Sequence, residues 1–372
     1  MRVLVTGANG FIGRNLCVRL AARDGVTIET LVRGDGDLAA KVAAADAIIH
    51  LAGANRPPDP QGFADDNTGL TENLAAAVRA DTGHRKLIVF ASSTQAALEN
   101  PYGASKRLAE DMLAGLADDG IADVALLRLP NVFGKWARPH YNSAVATFCD
   151  AAAHDRPLPV NDASAPLRLV YIDDVVGCML ALLDSRPPGL TGPEAAPVYT
   201  TTVGEVASLI GGFAAMRPAL GVGQVGHGLA RALYATYLSA LSPADFSYRI
   251  PAYGDPRGRF VEAVKTRDSG QMSYFTQSPG EVRGGHYHHS KSEKFLVVSG
   301  RARFRFRQLV TAERHAIEVD AAVPTIVDTI PGWAHDVVNL GDGELVVLVW
   351  ANEVFDRAHP DTITAEVEPC AV

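Results

Sequence analysis

The chain of 372 residues is long enough for two or three domains, and with 47% hydrophobic and 20% charged residues it has the composition of a globular protein. Its net charge of −8 argues against a nucleic-acid or anionic-membrane partner. The four cysteines have neither paired nor metal-type spacing, and the sequence contains no signal peptide and no apolar run long enough for a transmembrane helix. We therefore expect reduced thiols and a cytoplasmic protein.

The first half of the chain alternates short apolar runs with helix-like segments. Segments such as Asn15–Ala22 and Leu108–Leu116 have a helical pattern. The apolar runs predict buried strands at Arg2–Thr6, Thr27–Val32, Ala47–Leu51, Leu87–Ala91 and Val124–Leu129. This alternation predicts βαβ units and a Rossmann-type parallel sheet.

The pattern changes near Ser242-Pro243. Before this point helices are still predicted, at Val203–Ala214 and Leu229–Leu241. After it, Gly and Pro separate brief predicted strands at Phe295–Ser299, Ala302–Phe306 and Leu345–Trp350. We therefore predict an α/β domain over residues 1–243 and an all-β barrel or jelly roll over residues 244–372.

A glycine-rich turn, Thr6-Gly7-Ala-Asn-Gly10-Phe-Ile-Gly13, follows the first predicted strand and opens the first helix. Glycines there allow a tight turn and close approach of a pyrophosphate to the helix N-terminus. The alternative is a strand–helix turn with no ligand. Because a long α/β pattern follows, we predict a dinucleotide site with contacts from Gly7, Gly10, Phe11, Ile12 and Gly13.

Tyr102 and Lys106 lie four residues apart at the start of a predicted helix, so they share one helix face. An ammonium beside a phenol favours the phenolate and is expected to lower the phenol pKa from about 10. Such a tyrosine can give a proton to a carbonyl oxygen while hydride reaches the carbon. The spacing alone is common by chance, so the prediction depends on the surrounding motifs.

Those motifs resemble the short-chain dehydrogenase/reductase superfamily. Besides the glycine turn, the matches are His50-Leu-Ala-Gly53, Ser92-Ser93-Thr94 and Tyr102-Gly-Ala-Ser-Lys106. The resemblance implies that Ser93, Tyr102 and Lys106 are catalytic, with Ser93 bonded to the same carbonyl oxygen. It also implies cofactor contacts from Leu51, Ala52, Gly53 and Lys106.

Two later segments resemble the extended branch of that superfamily, whose members act on nucleotide sugars. They are Arg128-Leu-Pro-Asn131-Val-Phe-Gly134 and Arg168-Leu-Val-Tyr171-Ile-Asp173-Asp174. By this resemblance Asn131 and Arg168 face the diphosphate of the substrate. The alternative for Arg168 is an ion pair with Asp173 or Asp174.

Two departures from the superfamily pattern indicate which reaction and which coenzyme to expect. Thr94-Gln95 stands where sugar dehydratases of this branch carry an Asp-Glu pair, so dehydration is not expected. The second predicted strand ends in Arg33 instead of the acid that binds the ribose of NAD. Arg33, together with Arg14, suits the 2′-phosphate of NADPH, and NADPH implies net reduction.

The β-rich part contains His286-Tyr-His288, Glu293 and His335. Histidines two apart on a strand face the same side, and three imidazoles with one carboxylate are a ligand set for a divalent metal such as zinc. The motifs resemble the paired motifs of the cupin superfamily, although the second departs from the pattern because Pro331 and Gly332 are adjacent. His289 has the opposite strand parity and is the weakest ligand candidate. The alternative is a metal-free cupin.

A reductase of this type fused to a cupin resembles the family of bifunctional capsular-polysaccharide enzymes of the UDP-N-acetyl-L-fucosamine pathway. Matching stretches include Asn100-Pro-Tyr-Gly, Gly134-Lys-Trp, Asp245-Phe-Ser-Tyr248 and Glu293-Lys-Phe-Leu-Val-Val-Ser-Gly300. The resemblance implies a homodimer in which the cupin epimerises C3 of a UDP-2-acetamido-2,6-dideoxy-4-hexulose. The N-terminal domain would then reduce C4 with NADPH, giving UDP-2-acetamido-2,6-dideoxy-L-talose.

Two other functions stay open from the residues. One is a redox-neutral nucleotide-sugar epimerase with tightly bound NAD and a structural cupin. The other is a non-catalytic NADP(H)-sensing protein, which the intact Ser93, Tyr102 and Lys106 set argues against.

Overall fold

The computed structural model of the chain describes residues 1–32, 35–54, 63–251, 253–255, 258–260, 263–266, 270–353, 356 and 358–367. The chain divides into two compact units. The N-terminal unit comprises residues 1–143 and 166–201, and the C-terminal unit comprises residues 144–165 and 202–372.

A six-stranded parallel sheet forms the centre of the N-terminal unit, in the order β2-β1-β3-β4-β5-β8. Strands β3 and β4 are buried along their whole length, because helices can cover both faces of a parallel sheet. This is why they are continuous apolar runs in the sequence. The Rossmann-type sheet is thereby confirmed, with strands β1 (Arg2–Thr6), β2 (Thr27–Leu31), β3 (Ala47–His50), β4 (Lys86–Ser93), β5 (Ala122–Leu129) and β8 (Leu190–Thr191).

The helices of this unit are Phe11–Ala21, Leu38–Ala44, Leu70–Ala80, Pro101–Asp118 and Ile172–Ser185, and a π-helical turn at Ala64–Gly69 precedes the third. The helix Pro101–Asp118 starts earlier than its predicted core. The side chain of Asn100 accepts a hydrogen bond from Gly103 N at 2.8 Å, and Pro101 occupies the first helical turn. A smaller sheet has the order β6 (Asn131–Phe133), β7 (Pro166–Tyr171) and β9 (Val198–Thr202).

Two five-stranded antiparallel sheets form the β-rich part of the C-terminal unit. Their orders are β11-β20-β17-β22-β15 and β19-β18-β21-β16-β23. Strand β18 has the expected alternation, since Ala302, Phe304 and Phe306 are buried and the arginines between them point outward. The all-β jelly-roll fold is confirmed. Its strands are β11 (Ser247–Arg249), β15 (Gln271–Gln277), β16 (Val282–Tyr287), β17 (Glu293–Ser299), β18 (Arg301–Gln308), β19 (Arg314–Asp320), β20 (Thr325–Asp328), β21 (Trp333–Asn339), β22 (Leu345–Ala351) and β23 (Ile363–Thr364).

The C-terminal unit also contains the helices Ala144–Ala153, Val203–Met216 and Gly228–Leu238. Short strand pairs complete it: β10 (Gly221–Val222) with β14 (Lys265–Thr266), and β12 (Tyr253–Asp255) with β13 (Gly258–Phe260). The change from helices to strands falls near residue 243, where a 3-10 turn covers Pro243–Phe246. Whether the parts on either side of residue 243 fold separately stays a prediction. No helix within the described residues is both long and apolar enough to cross a membrane.

A buried charge cluster joins the end of the helix Val203–Met216 to the sheet of the C-terminal unit. Lys294 Nζ lies 2.7 Å from Asp328 Oδ1 and donates to Tyr248 Oη at 3.1 Å, while Arg217 pairs with Asp328 Oδ2. Lys294 and Asp328 are only 5% and 2% exposed. Burial alone would lower the pKa of Lys294, but Asp328 and the neighbouring tyrosines hold it above its ordinary value.

Replacing Asp328 with Asn should lower the free energy of unfolding by about 3–5 kcal/mol, because two buried cations lose their counter-charge. Asp320→Asn is the matched control, since Asp320 pairs with Arg301 at 3.7 Å where both side chains are more than half exposed. Denaturant unfolding of both variants measures the difference. Equal stability of Asp328→Asn and Asp320→Asn would contradict a structural role for the cluster.

Candidate active site and metal centre

The glycine turn lies between β1 and the helix Phe11–Ala21. Gly7 has φ +70°, and a Cβ there would lie 2.7 Å from Ala52 N. A Cβ on Gly13 would lie 2.3 Å from Gly7 O, so only glycine lets the helix pack on the turn. No side chain caps the start of this helix among the residues described. Its first amides could therefore receive a phosphate, and the cofactor contacts predicted from sequence stay a prediction.

The loop after β3 lies beside this turn. Thr6 Oγ1 accepts hydrogen bonds from Leu51 N at 3.2 Å and Ala52 N at 3.1 Å. The same hydroxyl lies 2.7 Å from His50 Nδ1. Burial first, and then the charge of Lys106, lowers the pKa of His50 to about 3, so this imidazole is neutral. Leu51 and Ala52, two of the residues predicted to contact a cofactor in this loop, are thus held by hydrogen bonds from their amides to the side chain of Thr6.

The structure brings the three predicted catalytic residues together. Ser93 ends β4, and Tyr102 lies in the first turn of the next helix, where the side chain of Ser93 is close enough to the phenol to lower its pKa. Lys106 Nζ donates to Ala91 O at 3.0 Å and lies 4.9 Å from the Phe90 ring centroid. A Cβ built on Gly53 would lie 3.6 Å from Lys106 Nζ, which places this ammonium beside the loop that follows β3.

The expected lowering of the Tyr102 pKa is wrong for this structure. Burial raises the pKa of Tyr102, and the side chain of Ser93 only partly opposes this. Burial also lowers the pKa of Lys106 to about 8, against the attraction of Glu110. The charge of Lys106 would favour the phenolate, but desolvation of the buried phenol outweighs it. A raised pKa keeps the phenol protonated, as a proton donor requires.

Glu110 is a residue of this site that the sequence analysis missed. It is 3% exposed, accepts from Ser92 Oγ at 2.5 Å and pairs with Arg128 NH2 at 2.6 Å. Its position four residues after Lys106, on the same helix face, is the sequence signal that could have revealed it.

Asn67 was also missed, and no motif used in the sequence analysis points to it. Its side chain accepts from Ala54 N at 2.9 Å and donates to Ala54 O and Ser105 Oγ, both at 3.0 Å. It therefore ties the loop after β3 to the helix that carries Tyr102 and Lys106.

The predicted substrate-binding residues lie close together along the small sheet. Asn131 starts β6 and is opposite Leu169 of β7, the residue after Arg168, and both Asn131 and Arg168 are exposed. Asp173 instead pairs with Lys135, at 2.6 Å. Within the described part of the chain Arg168 makes no ion pair, so contact with a substrate stays a prediction for it. Arg33, predicted to select NADPH, lies outside the described residues.

The four predicted metal ligands form one cluster. His286 is in β16 opposite His335 in β21, His288 follows the end of β16, and Glu293 starts β17. One donor atom from each residue lies within 4.8 Å of all the others. Glu293 Oε2 is 3.1 Å from His288 Nε2 and 3.6 Å from His335 Nε2. His289 is not in the cluster, and its ring lies 5.2 Å from that of Tyr287.

The protonation states of this cluster suit a cation. Burial and the other two imidazoles lower the pKa of His286 to about 3, and burial lowers that of His335. Burial alone would raise the pKa of Glu293, but His288, His335 and Lys291 hold it well below its usual value. His335 Nε2 is buried without a hydrogen-bond partner among the described residues. Neutral imidazoles and an ionised carboxylate are the forms that bind metal, so the cluster fits zinc.

The fold and these two sites define a class, an extended short-chain dehydrogenase/reductase joined to a cupin. Residues 3–192 match the NAD dependent epimerase/dehydratase family, and residues 253–363 match the polysaccharide biosynthesis C-terminal domain. The chain is 49% identical over 99% of both chains to the UDP-2-acetamido-2,6-beta-L-arabino-hexul-4-ose reductase of Pseudomonas aeruginosa.

Solved structures agree with this class. The capsular polysaccharide assembling protein CapF of Staphylococcus aureus has 36% sequence identity and a TM-score of 0.67, with 99% of this chain and 100% of that chain covered. A UDP-glucuronic acid 4-epimerase of Bacillus cereus, at 20% identity and a TM-score of 0.52, covers 58% of this chain and 84% of its own and supports the fold alone. The chain belongs to the family of bifunctional capsular-polysaccharide biosynthesis enzymes that join an epimerase/dehydratase domain to a cupin.

The metal-free protein should lose stability as the pH falls from about 6.5 towards 3. The pKa of His286 drops from 6.5 to about 3 on folding, so the unfolded state binds more protons in this range. The lowered pKa of Glu293 acts in the same direction at the acid end. His286→Gln should flatten the dependence, as measured by denaturant unfolding of chelator-treated protein at several pH values.

His359→Gln is the control for this experiment, because the side chain of His359 is 87% exposed. It should leave the pH dependence unchanged. The same slope in His286→Gln as in the parent protein would contradict a neutral, partly buried His286.

Proposed function

We propose that this chain is a nucleotide-sugar 4-ketoreductase that uses NADPH and whose cupin part first epimerises C3 of the same substrate. The proposed substrate is a UDP-2-acetamido-2,6-dideoxy-4-hexulose, and the product is UDP-2-acetamido-2,6-dideoxy-L-talose. The observation that carries the proposal is that Ser93 lies beside Tyr102, one turn before the buried Lys106 on the same helix. The 49% identity to a hexulose reductase over 99% of the chain supports the substrate class.

Tyr102 is the proposed proton donor in the reduction step. Its raised pKa keeps the phenol protonated, and the hydroxyl of Ser93 can hold the C4 oxygen next to it. Lys106, with a pKa of about 8, is mostly charged at neutral pH and stabilises negative charge that develops on Tyr102. Bound NADPH would supply the hydride to C4.

Coenzyme binding is assigned to the glycine turn and to the loop after β3. Gly7 and Gly13 allow the turn and the helix to pack closely, and the uncapped start of the helix would receive the pyrophosphate. Preference for NADPH over NADH rests on the sequence, where Arg33 replaces the usual acid and Arg14 is nearby.

The cupin part is assigned the C3 epimerisation. A C4 ketone acidifies the C3 hydrogen, so a base can remove the proton and the other face can receive it. His286, His288, Glu293 and His335 would hold a zinc ion, which would polarise an oxygen of the substrate as a Lewis acid. Epimerisation must come first, because reduction destroys the ketone that makes C3 acidic.

Replacing Tyr102 with Phe should lower NADPH oxidation with the 4-keto substrate by about 100-fold or more, the range for losing a positioned acid. Tyr274→Phe is the control, since Tyr274 is 70% exposed. The same absorbance assay with NADH tests the coenzyme preference. Near-normal turnover of Tyr102→Phe would disprove the reductase site. Tightly bound NAD without net NADPH oxidation would instead favour a redox-neutral epimerase.

Exchange of the C3 hydrogen in deuterium oxide should proceed without coenzyme and survive in Tyr102→Phe, because epimerisation needs only reversible proton transfer. His335→Ala should lose this exchange yet still reduce a substrate that is already epimerised. Mass spectrometry of the recovered nucleotide sugar measures the deuterium. The division of labour is wrong if exchange requires NADPH or persists undiminished in His335→Ala.

A further inference from the structure

The carboxylate of Asp361 holds the loop that connects two of the clustered ligands, His288 and Glu293. Its Oδ1 accepts from His289 N at 2.9 Å, and its Oδ2 accepts from Ser290 N at 2.7 Å and from Lys291 N at 2.8 Å. The hydroxyl of Ser290 also donates to Oδ2, at 3.1 Å. Three successive amides of the loop are therefore fixed by one side chain.

The backbone carbonyl of the same residue contacts His288 itself. Asp361 O lies 2.5 Å from His288 Nδ1. A carbonyl oxygen can only accept, so Nδ1 carries a proton and Nε2 is the nitrogen left to bind a cation. His288 Nε2 lies 3.1 Å from Glu293 Oε2, on the side of the cluster. The carbonyl thus selects the tautomer whose free nitrogen points at the other donor atoms.

Neighbouring elements hold Asp361 in place. The segment 358–362 leads into β23, which pairs with β16 so that Tyr287 is opposite Ile363. Arg231, on the helix Gly228–Leu238, donates to Ser290 Oγ at 2.5 Å and lies 3.8 Å from Asp361 Oδ2. The same guanidinium pairs with Glu353 at 2.7 Å. The pairing of β23 with β16 and the nearby guanidinium of Arg231 therefore hold Asp361 against the ligand loop.

We infer that Asp361 is a positioning residue of the metal centre, fixing the ligand loop with its carboxylate and the tautomer of His288 with its carbonyl. This inference rests on the proposed metal site. Hydrogen bonds to the second nitrogen of a ligating histidine orient the ring and raise its basicity. The proposed site would bind a divalent cation that prefers nitrogen and oxygen ligands, such as zinc.

Asp361→Asn tests the role of the carboxylate. The substitution keeps the size of the side chain and the backbone carbonyl, but turns an NH2 group towards amide donors that need an acceptor. Affinity for Zn²⁺ and Co²⁺, measured by chelator competition, should fall about 10–100-fold. The visible absorption of the Co²⁺ form should also change, because the His288 ligand is no longer held in one orientation.

Asp356→Asn is the matched control. Asp356 lies five residues before Asp361 in the sequence, its side chain is 60% exposed, and it accepts from Ala358 N at 2.8 Å. This variant should keep the parent affinity and the parent Co²⁺ spectrum.

The possible outcomes separate this inference from the metal site itself. Parent affinity and spectrum in Asp361→Asn, with only a lower unfolding temperature, would overturn the positioning role and leave the metal site standing. A parent protein that binds no metal would overturn both. If Asp361→Asn does not fold, NMR of ¹⁵N-histidine-labelled parent protein loaded with Zn²⁺ decides: Nδ1–H on His288 supports the inference, and coordination through Nδ1 overturns it.

Discussion

Burial of ionisable groups is the constraint on which both candidate sites depend. Lys106 is 7% exposed and Glu293 is 8% exposed, and at such depth a charge persists only if specific partners replace its water. For Lys106 these partners are the carbonyl of Ala91 and the charge of Glu110. For Glu293 they are two imidazoles and the ammonium of Lys291, which lies 2.7 Å away. Each partner set fixes geometry and protonation together.

The same desolvation acts in opposite directions on the two members of the proposed proton-donating pair. It raises the pKa of Tyr102 and lowers that of Lys106 to about 8. Near neutral pH the phenol is then protonated and the lysine mostly charged, which is the state needed to give a proton to a forming alkoxide. The buried carboxylate of Glu110 prevents a further fall in the Lys106 pKa. The counter-charge is thus part of the proposed reductase chemistry, although Glu110 itself belongs to no motif.

Apolar runs and short spacings in the sequence predicted those features that depend on residues close together in the chain. Apolar runs identified the buried parallel strands, and the spacing of His286, His288 and Glu293 anticipated their cluster, because few residues separate them. The Tyr102 pKa and the role of Asp361 could not be foreseen in this way. Desolvation depends on which distant segments cover a side chain, and Asp361 meets His288 across a separation of 73 residues. Sequence periodicity contains no information about such a contact.

The two sites require different protonation states, which explains why they have separate sets of partners. The proposed reduction needs a protonated phenol beside a charged lysine, whereas the metal cluster needs imidazoles that have lost their protons. In the first site Glu110 opposes the fall in the Lys106 pKa, and in the second burial and the neighbouring imidazoles lower the pKa of His286. Because the proposed C3 epimerisation needs the ketone and the proposed C4 reduction removes it, both states would have to exist at the same pH. Distinct buried surroundings on one chain would allow this without any change in conditions between the two proposed steps.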